Sequence, residues 1–184
     1  LPNKTEFGEF VSKLKEARVI PEQMQKNMRN WRKNAHPMDV LQAFVAALAG
    51  YYDEQGSEKE ISQQRAINLI AKVPTIIASW DRVRNDKEPI QPDSELSHAS
   101  NFLYMLTGNK PDKEMERVFD VCLILHADHT FNASTFAARE VASTRAHMYS
   151  AVSAAVGALS GELHGGANFE VMKMLLDIKD EKNA

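Results

Sequence analysis

Six histidines carry most of the chemistry this chain could perform: His36, His98, His126, His129, His147 and His164. Two groups of them stand in unusual surroundings. His126-Ala127-Asp128-His129 follows directly on Val121-Cys122-Leu123-Ile124-Leu125, so imidazoles emerge at the end of a nearly all-apolar helix that is expected to cross the core and deliver them into a pocket. Charged or neutral, an imidazole can donate a hydrogen bond to an anionic or carbonyl oxygen. Asn132 adds a short polar side chain just before Ala133-Ser134-Thr135 opens another helix, where free amides would favour an anion. Satisfied core histidines fit this pattern too, since His-x-x-His alone is weak evidence. A metal site on His126, Asp128 and His129 would need further ligands at matching spacing, and none is supplied, so no metal is expected.

The second group is Gly161-Glu162-Leu163-His164-Gly165-Gly166-Ala167-Asn168. Paired glycines permit backbone angles and close approaches that a side chain forbids, which presents His164 on a tight turn. The amphipathic segment from Phe169 to Ile178 places that turn just before a helix N-terminus, whose positive end disfavours imidazolium. A neutral ring there can donate a hydrogen bond to a carbonyl oxygen that becomes enolate-like, an electrophilic role. A glycine-rich hinge with an incidental histidine fits the same residues equally well. His36, His98 and His147 fall before or within helical stretches and are expected to be structural.

The elements that must position these groups read as helices throughout. Phe7, Phe10, Val11 and Leu14 form an apolar stripe behind a capping box of Asn3 and Glu6. Pro21 opens a second helix carrying Met24, Met28 and Trp31, and Pro37 a third, in which Val40 to Tyr52 is apolar enough to be buried on most sides. A long helix over about 58–84 is expected to kink at Pro74. The stretch 85–94, with Pro89 and Pro92, reads as a linker-like loop. Helices over about 94–107, closed by Gly108-Asn109, and from Pro111-Asp112 to about Ala127 follow. From Ala133 to Gly161, sixteen of 29 residues are alanine, serine or glycine, the composition of a fully buried helix pair or a helical subunit interface. With no strand pattern and no repeat of fixed period, the fold class is all-α.

Composition excludes several function classes. The 184 residues include 22 basic and 25 acidic side chains and are 43% hydrophobic, too apolar for a disordered chain and enough to close one core. The longest stretch free of charge holds 16 residues, short of the roughly 20 a spanning helix needs, so no membrane is expected. Balanced charge argues against nucleic acid as a partner. A single cysteine, Cys122, rules out an internal disulfide and fits the cytoplasm, or the mitochondrial matrix in a eukaryote. The opening Leu1-Pro2-Asn3-Lys4 and the uncapped run Leu175-Leu176-Asp177-Ile178 into Ala184 read as the two cut ends of a fragment.

Leu125-His126-Ala127-Asp128-His129, Phe131 to Arg139, Met148-Tyr149-Ser150-Ala151 and Gly161 to Asn168 together resemble the citrate synthase family. Leu1-Pro2, His36 to Leu41 and Asn101 to Leu106 match it more weakly, in the family's order. The resemblance implies an all-helical homodimer whose large and small domains close over the substrates. Residues 1–166 would be part of the large domain and 167–184 the first, truncated helix of the small one. It implies condensation of acetyl-CoA with oxaloacetate, and hydrolysis of the citryl thioester, without a metal or a permanently bound cofactor; acetyl-CoA is a co-substrate. His164 would be catalytic, stabilising the enol of acetyl-CoA. His129 would hydrogen-bond oxaloacetate, with Asn132, His126 and Gly165 in the substrate-binding set. Gly165 and Gly166 would form the hinge between domains, and the small-residue helices would lie in or beside the dimer interface. The family's second catalytic histidine, its catalytic aspartate and its carboxylate-binding arginines would come after the segment that Ala184 closes, so the chain alone is expected to lack condensing activity. Phe169 departs from the polar residue many relatives carry there. A 2-methylcitrate synthase using propionyl-CoA, or a non-catalytic scaffold with the same core, remains open on these residues.

Overall fold

A computed structural model describes residues 2–128 and 130–178, with Asn168 described by its backbone alone. Among these residues the chain is all-α. Its helices are α1 (Lys4–Glu16), α2 (Glu22–Met28), α3 (Pro37–Ala47), α4 (Glu58–Arg84), α5 (His98–Thr107), α6 (Lys113–His126), α7 (Ala133–Ser143), α8 (Met148–Leu159) and α9 (Gly166–Ile178), with a 3-10 turn at Leu48–Gly50. The starts are chemically marked. Asn3 with Glu6, and Ser57 with Glu60, form reciprocal capping boxes. His36, Ser97, Asp112, Asn132 and His147 each accept a hydrogen bond from an amide of the first turn, satisfying a donor that the helix leaves open.

Helix α4 is the central element, touched by α1, α2, α3, α5 and α8. Met24, Met28, Val40, Phe44, Val45, Leu48, Ile76, Trp80 and Tyr149 close the core around it. Pro74 lies inside α4 without ending it. The ring removes one backbone donor, but Ala71, Thr75, Ile76 and Ala78 are buried on either side, and Thr75 Oγ1 donates to the Arg18 carbonyl over 2.8 Å. Packing outweighs the local preference.

Helices α3 and α8 approach closely. Ser153 Oγ donates to the Gln42 carbonyl over 3.0 Å, and a Cβ on Gly157 would stand 2.6 Å from Gln42 Nε2. The small-residue run packs α8 against α3 and α7 against α8, but it is not the fully buried pair expected: no residue of α7 is buried, and in α8 only Tyr149, Ala151 and Ser153 are.

A polar chain crosses the core. Tyr149 Oη donates to Glu54 Oε1 over 2.6 Å and accepts from Asn68 Nδ2 over 3.1 Å, while Lys72 Nζ donates to Asn68 Oδ1 over 2.9 Å and to the Ala17 carbonyl over 2.5 Å. Burial pushes the Lys72 amine down to about 8. Desolvation raises the Tyr149 phenol, and its bond to Glu54 raises it further. Desolvation also acts to raise Glu54, but hydrogen bonds from Tyr149, its own backbone and Arg65, with the Arg65 charge, outweigh it and hold the carboxyl below its ordinary range.

Three further expectations are corrected. The stretch 85–94 is no free linker: the buried Arg18 donates to the Asp93 and Leu96 carbonyls at 2.8 and 3.0 Å, and Lys110 pairs with Asp93 over 2.7 Å. Trp31 lies beyond α2, in a turn where its ring meets Phe44. Helix α6 does not cross the core. None of its residues is buried, and Ile124 and Leu125 are 64% and 72% exposed. It leans on α5 through Phe119, stacked on Phe102 with ring centroids 5.2 Å apart. An apolar run reports that a face needs cover, not whether its own chain provides it.

Candidate functional site

His164 sits on the turn between α8 and α9. Its amide donates to the Gly161 carbonyl over 3.0 Å, and the next amide, of Gly165, reaches back to the Leu159 carbonyl over 3.0 Å. Neither Gly165 nor Gly166 has positive φ, so the expected conformational reason for the pair is not the operative one. Gly165 is required sterically: a Cβ there would lie 2.1 Å from the Leu159 oxygen. Gly166 opens α9, and a Cβ there would meet nothing closer than 3.7 Å.

The bend brings the imidazole, half-buried, against the first turn of α7, where His164 Nε2 and Ser134 Oγ are 2.5 Å apart. Residues thirty apart in sequence thus form one hydrogen-bonded pair. Ser134 is missing from the site as read from sequence. The sequence shows only a hydroxyl in the first turn of the helix that Asn132 caps, and nothing in it says that His164 would meet that hydroxyl.

Asn132 is placed as expected before α7, but its Oδ1 accepts from the Thr135 amide over 2.8 Å, so one of the amides thought free for an anion is already occupied. His126, the last residue of α6, is exposed, and its Nδ1 lies 2.7 Å from the Cys122 carbonyl one turn back. The structure therefore places it on a surface helix, not in a pocket fed by a buried one. Among the described residues no hydrogen bond links His126 to His164 or Ser134. His129 lies outside the described residues. Its neighbour Thr130 holds φ at 52° with its amide on Asp128 Oδ1, a left-handed conformation that strains a β-branched residue by about 1–3 kcal/mol. Among the described residues no three histidine, cysteine or acidic side chains are grouped to hold a metal.

Beside the bend opens a cleft of about 600 Å³, walled by His36, Pro37 and Met38 from the start of α3, by Leu159, Ser160 and Glu162, and by Gly165, Gly166 and Phe169. The His36 Nδ1 atom is engaged in capping α3. His147 likewise caps α8, at its boundary and not within it. His98, first residue of α5, is pushed down by desolvation and by Arg18, against the opposing pull of Asp120.

Comparison with known proteins decides the ancestry. Residues 1–184 match the family model described as citrate synthase, C-terminal domain. The chain belongs to the citrate synthase family. It is 44% identical over 184 residues to a citrate synthase of Synechocystis sp., covering all of this chain and 46% of that one. It is 40% identical over 184 residues to a 2-methylcitrate synthase of Mycobacterium tuberculosis, again covering all of this chain and 47% of the relative. The crystal structure of citrate synthase from Pyrobaculum aerophilum superposes with a TM-score of 0.89 at 42% identity, over 97% of this chain and 47% of that chain. The chain thus spans about half the length of the citrate synthase relatives it matches.

Proposed function

We propose that this chain supplies the enol-stabilising part of a citrate synthase-type condensation, in which acetyl-CoA and oxaloacetate give citrate and CoA. The observation that carries this reading is the Ser134–His164 contact at the diglycine bend. With the Ser134 hydroxyl donating to Nε2, the ring is neutral and keeps its Nδ1–H for the thioester oxygen as the acetyl methyl loses its proton. A donor fixed in advance at the oxygen where charge develops lowers the barrier without reorganising during the step. Ser134 acts through His164 and is a positioning residue. His129, with Asn132 and His126 on the α6–α7 connection, would receive oxaloacetate, and Gly165 would hold the bend. The proton-abstracting aspartate, the second histidine and the arginines would come from the part of the family's length that this chain does not span. Residues 1–166 would then belong to the large domain and 167–184 to the small one.

An apolar stripe on α6, Met115, Val118, Val121 and Leu125, lies exposed, which supports a homodimer in which a second copy covers it. Propionyl-CoA as substrate is the second reading, supported by the identity to the Mycobacterium tuberculosis enzyme. One methylene is worth only about 1–3 kcal/mol of preference.

A chimera tests the proposal. This chain replaces the matching span of the Pyrobaculum aerophilum enzyme, and oxaloacetate-dependent CoA release is followed with acetyl-CoA and with propionyl-CoA. His164→Gln should lower kcat by at least about 10²-fold, and Ser134→Ala by about tenfold with little change in the KM for oxaloacetate. An active chimera indifferent to His164→Gln overturns the assignment. A folded chimera with no turnover favours the non-catalytic scaffold.

A further inference from the structure

A second cavity, between α3, α4 and α5, takes no part in the chemistry proposed above. It encloses about 230 Å³, and Leu41, Ile76, Ile77, Phe102 and Leu106 line it together with Trp80. Such a volume lies between the roughly 150 Å³ that holds a benzene ring and the roughly 300 Å³ of the smallest drug-sized pockets, and suits an occupant of about eight to twelve non-hydrogen atoms.

Arg84 and Asp81 interrupt this apolar wall. Trp80 is 3% exposed, and its indole nitrogen is sealed within the packing and does not face the cavity. Arg84, one turn along α4, also lines the cavity and is half-buried. Among the described residues no hydrogen bond or ion pair engages its guanidinium, whereas Arg82 beside it is held by the Glu88 carbonyl. Asp81 shares the lining, its carboxylate meeting Asn85 Nδ2 only at 3.4 Å.

An apolar chamber with one unpaired cation in its wall is complementary to an anion with an apolar tail. We propose that this cavity binds a small carboxylic acid with an apolar body of about six to eight carbons, its chain against Ile76, Phe102 and Leu106 and its carboxylate on Arg84. Pro37 and Met38 line this cavity and also the cleft at the diglycine bend, so the occupant would lie against a wall common to both.

The chain has two tryptophans, Trp31 and Trp80, so Trp31→Phe leaves Trp80 as the sole reporter. Its fluorescence is titrated with octanoate and, separately, with octan-1-ol, which has the same tail and no carboxylate. Saturable octanoate binding is expected, with octan-1-ol weaker by roughly tenfold. Arg84→Met should abolish that difference, and Asp81→Asn should tighten octanoate binding. If Trp31→Phe does not fold, the same titrations are followed by calorimetry on the unaltered chain. No saturation with octanoate by about 10 mM, a weak limit on this scale, overturns the proposal. So does equal affinity for the alcohol, or an Arg84→Met variant that still prefers the acid.

Discussion

Replacing Gly165 by alanine forces apart two backbone segments that are held together around His164. The Gly165 amide donates to the Leu159 carbonyl over 3.0 Å, and the new Cβ would lie 2.1 Å from that oxygen and 3.2 Å from its carbon. The nearest obstacle is backbone, with no side-chain end to swing aside, so the bend must open by about 1 Å and the hydrogen bond goes with it. Losing that bond takes about 1 kcal/mol, and the strain about 1–3 kcal/mol more. The resulting 2–4 kcal/mol, an order-of-magnitude figure of about that size, falls on the bend and α9, which lie outside the main core cluster. Amide hydrogen exchange is therefore the assay. Protection of the Gly165 N–H should fall by roughly 30- to 10³-fold while the melting temperature moves far less. Gly166→Ala is the control, since its Cβ has space and alanine adds up to about 1 kcal/mol in a helix. In the active chimera, displacing His164 by about 1 Å should lower kcat by about 10²-fold. Unchanged protection of Gly165 in the alanine variant would refute the steric argument.

Stability should also respond to alkali through Lys72. Its amine titrates near 8 in the fold and about 10.4 in an unfolded chain, so between those values the unfolded chain binds the extra proton and stability rises with pH, by about 3 kcal/mol at most. Tyr149 and Tyr52, raised by desolvation first, act in the opposite sense above about pH 10, so urea midpoints should climb and then fall. A flat profile between pH 8 and 10 contradicts this, and Lys72→Met should produce that flat profile. Tyr149→Phe leaves Asn68 Nδ2 and Glu54 Oε1 short of a partner and should cost about 1–3 kcal/mol in denaturant unfolding; a smaller loss means that the polar chain contributes little. The 184-residue chain assayed alone should release no CoA in response to oxaloacetate. Measurable turnover would show that the groups assigned to the other half of the family's length are dispensable.

Helix starts were legible because their chemistry is local: Asn3 with Glu6, Pro37 and Asp112 each announce an amide donor to be capped. The α5 ending at Gly108, with φ 90°, was legible for the same reason. What lay beyond the sequence was cover. The stripe Phe7, Phe10, Val11, Leu14 reads as a buried face, yet only Leu14 is buried, and α6 shows the same shortfall on a larger scale. Periodicity measures a helix's apolar side and is silent on what lies opposite. Within the site, His164 could be found from its glycines because a close approach demands them. The Ser134 contact could not, since it depends on how α7 and α8 cross. Their small residues announced proximity without saying which polar atoms would meet.

Gln42 and Gly157 divide a single volume between two helices. The amide end of Gln42 fills the space that a methyl group at position 157 would take, and it is the movable end of a long side chain. Two solutions therefore exist for the same interhelical gap, a bare backbone facing a long residue or an alanine facing a short one. A lineage can trade one for the other without parting α3 from α8, provided both letters change together. The gap between α3 and α8 thus fixes a joint volume for positions 42 and 157 and not the identity of either residue.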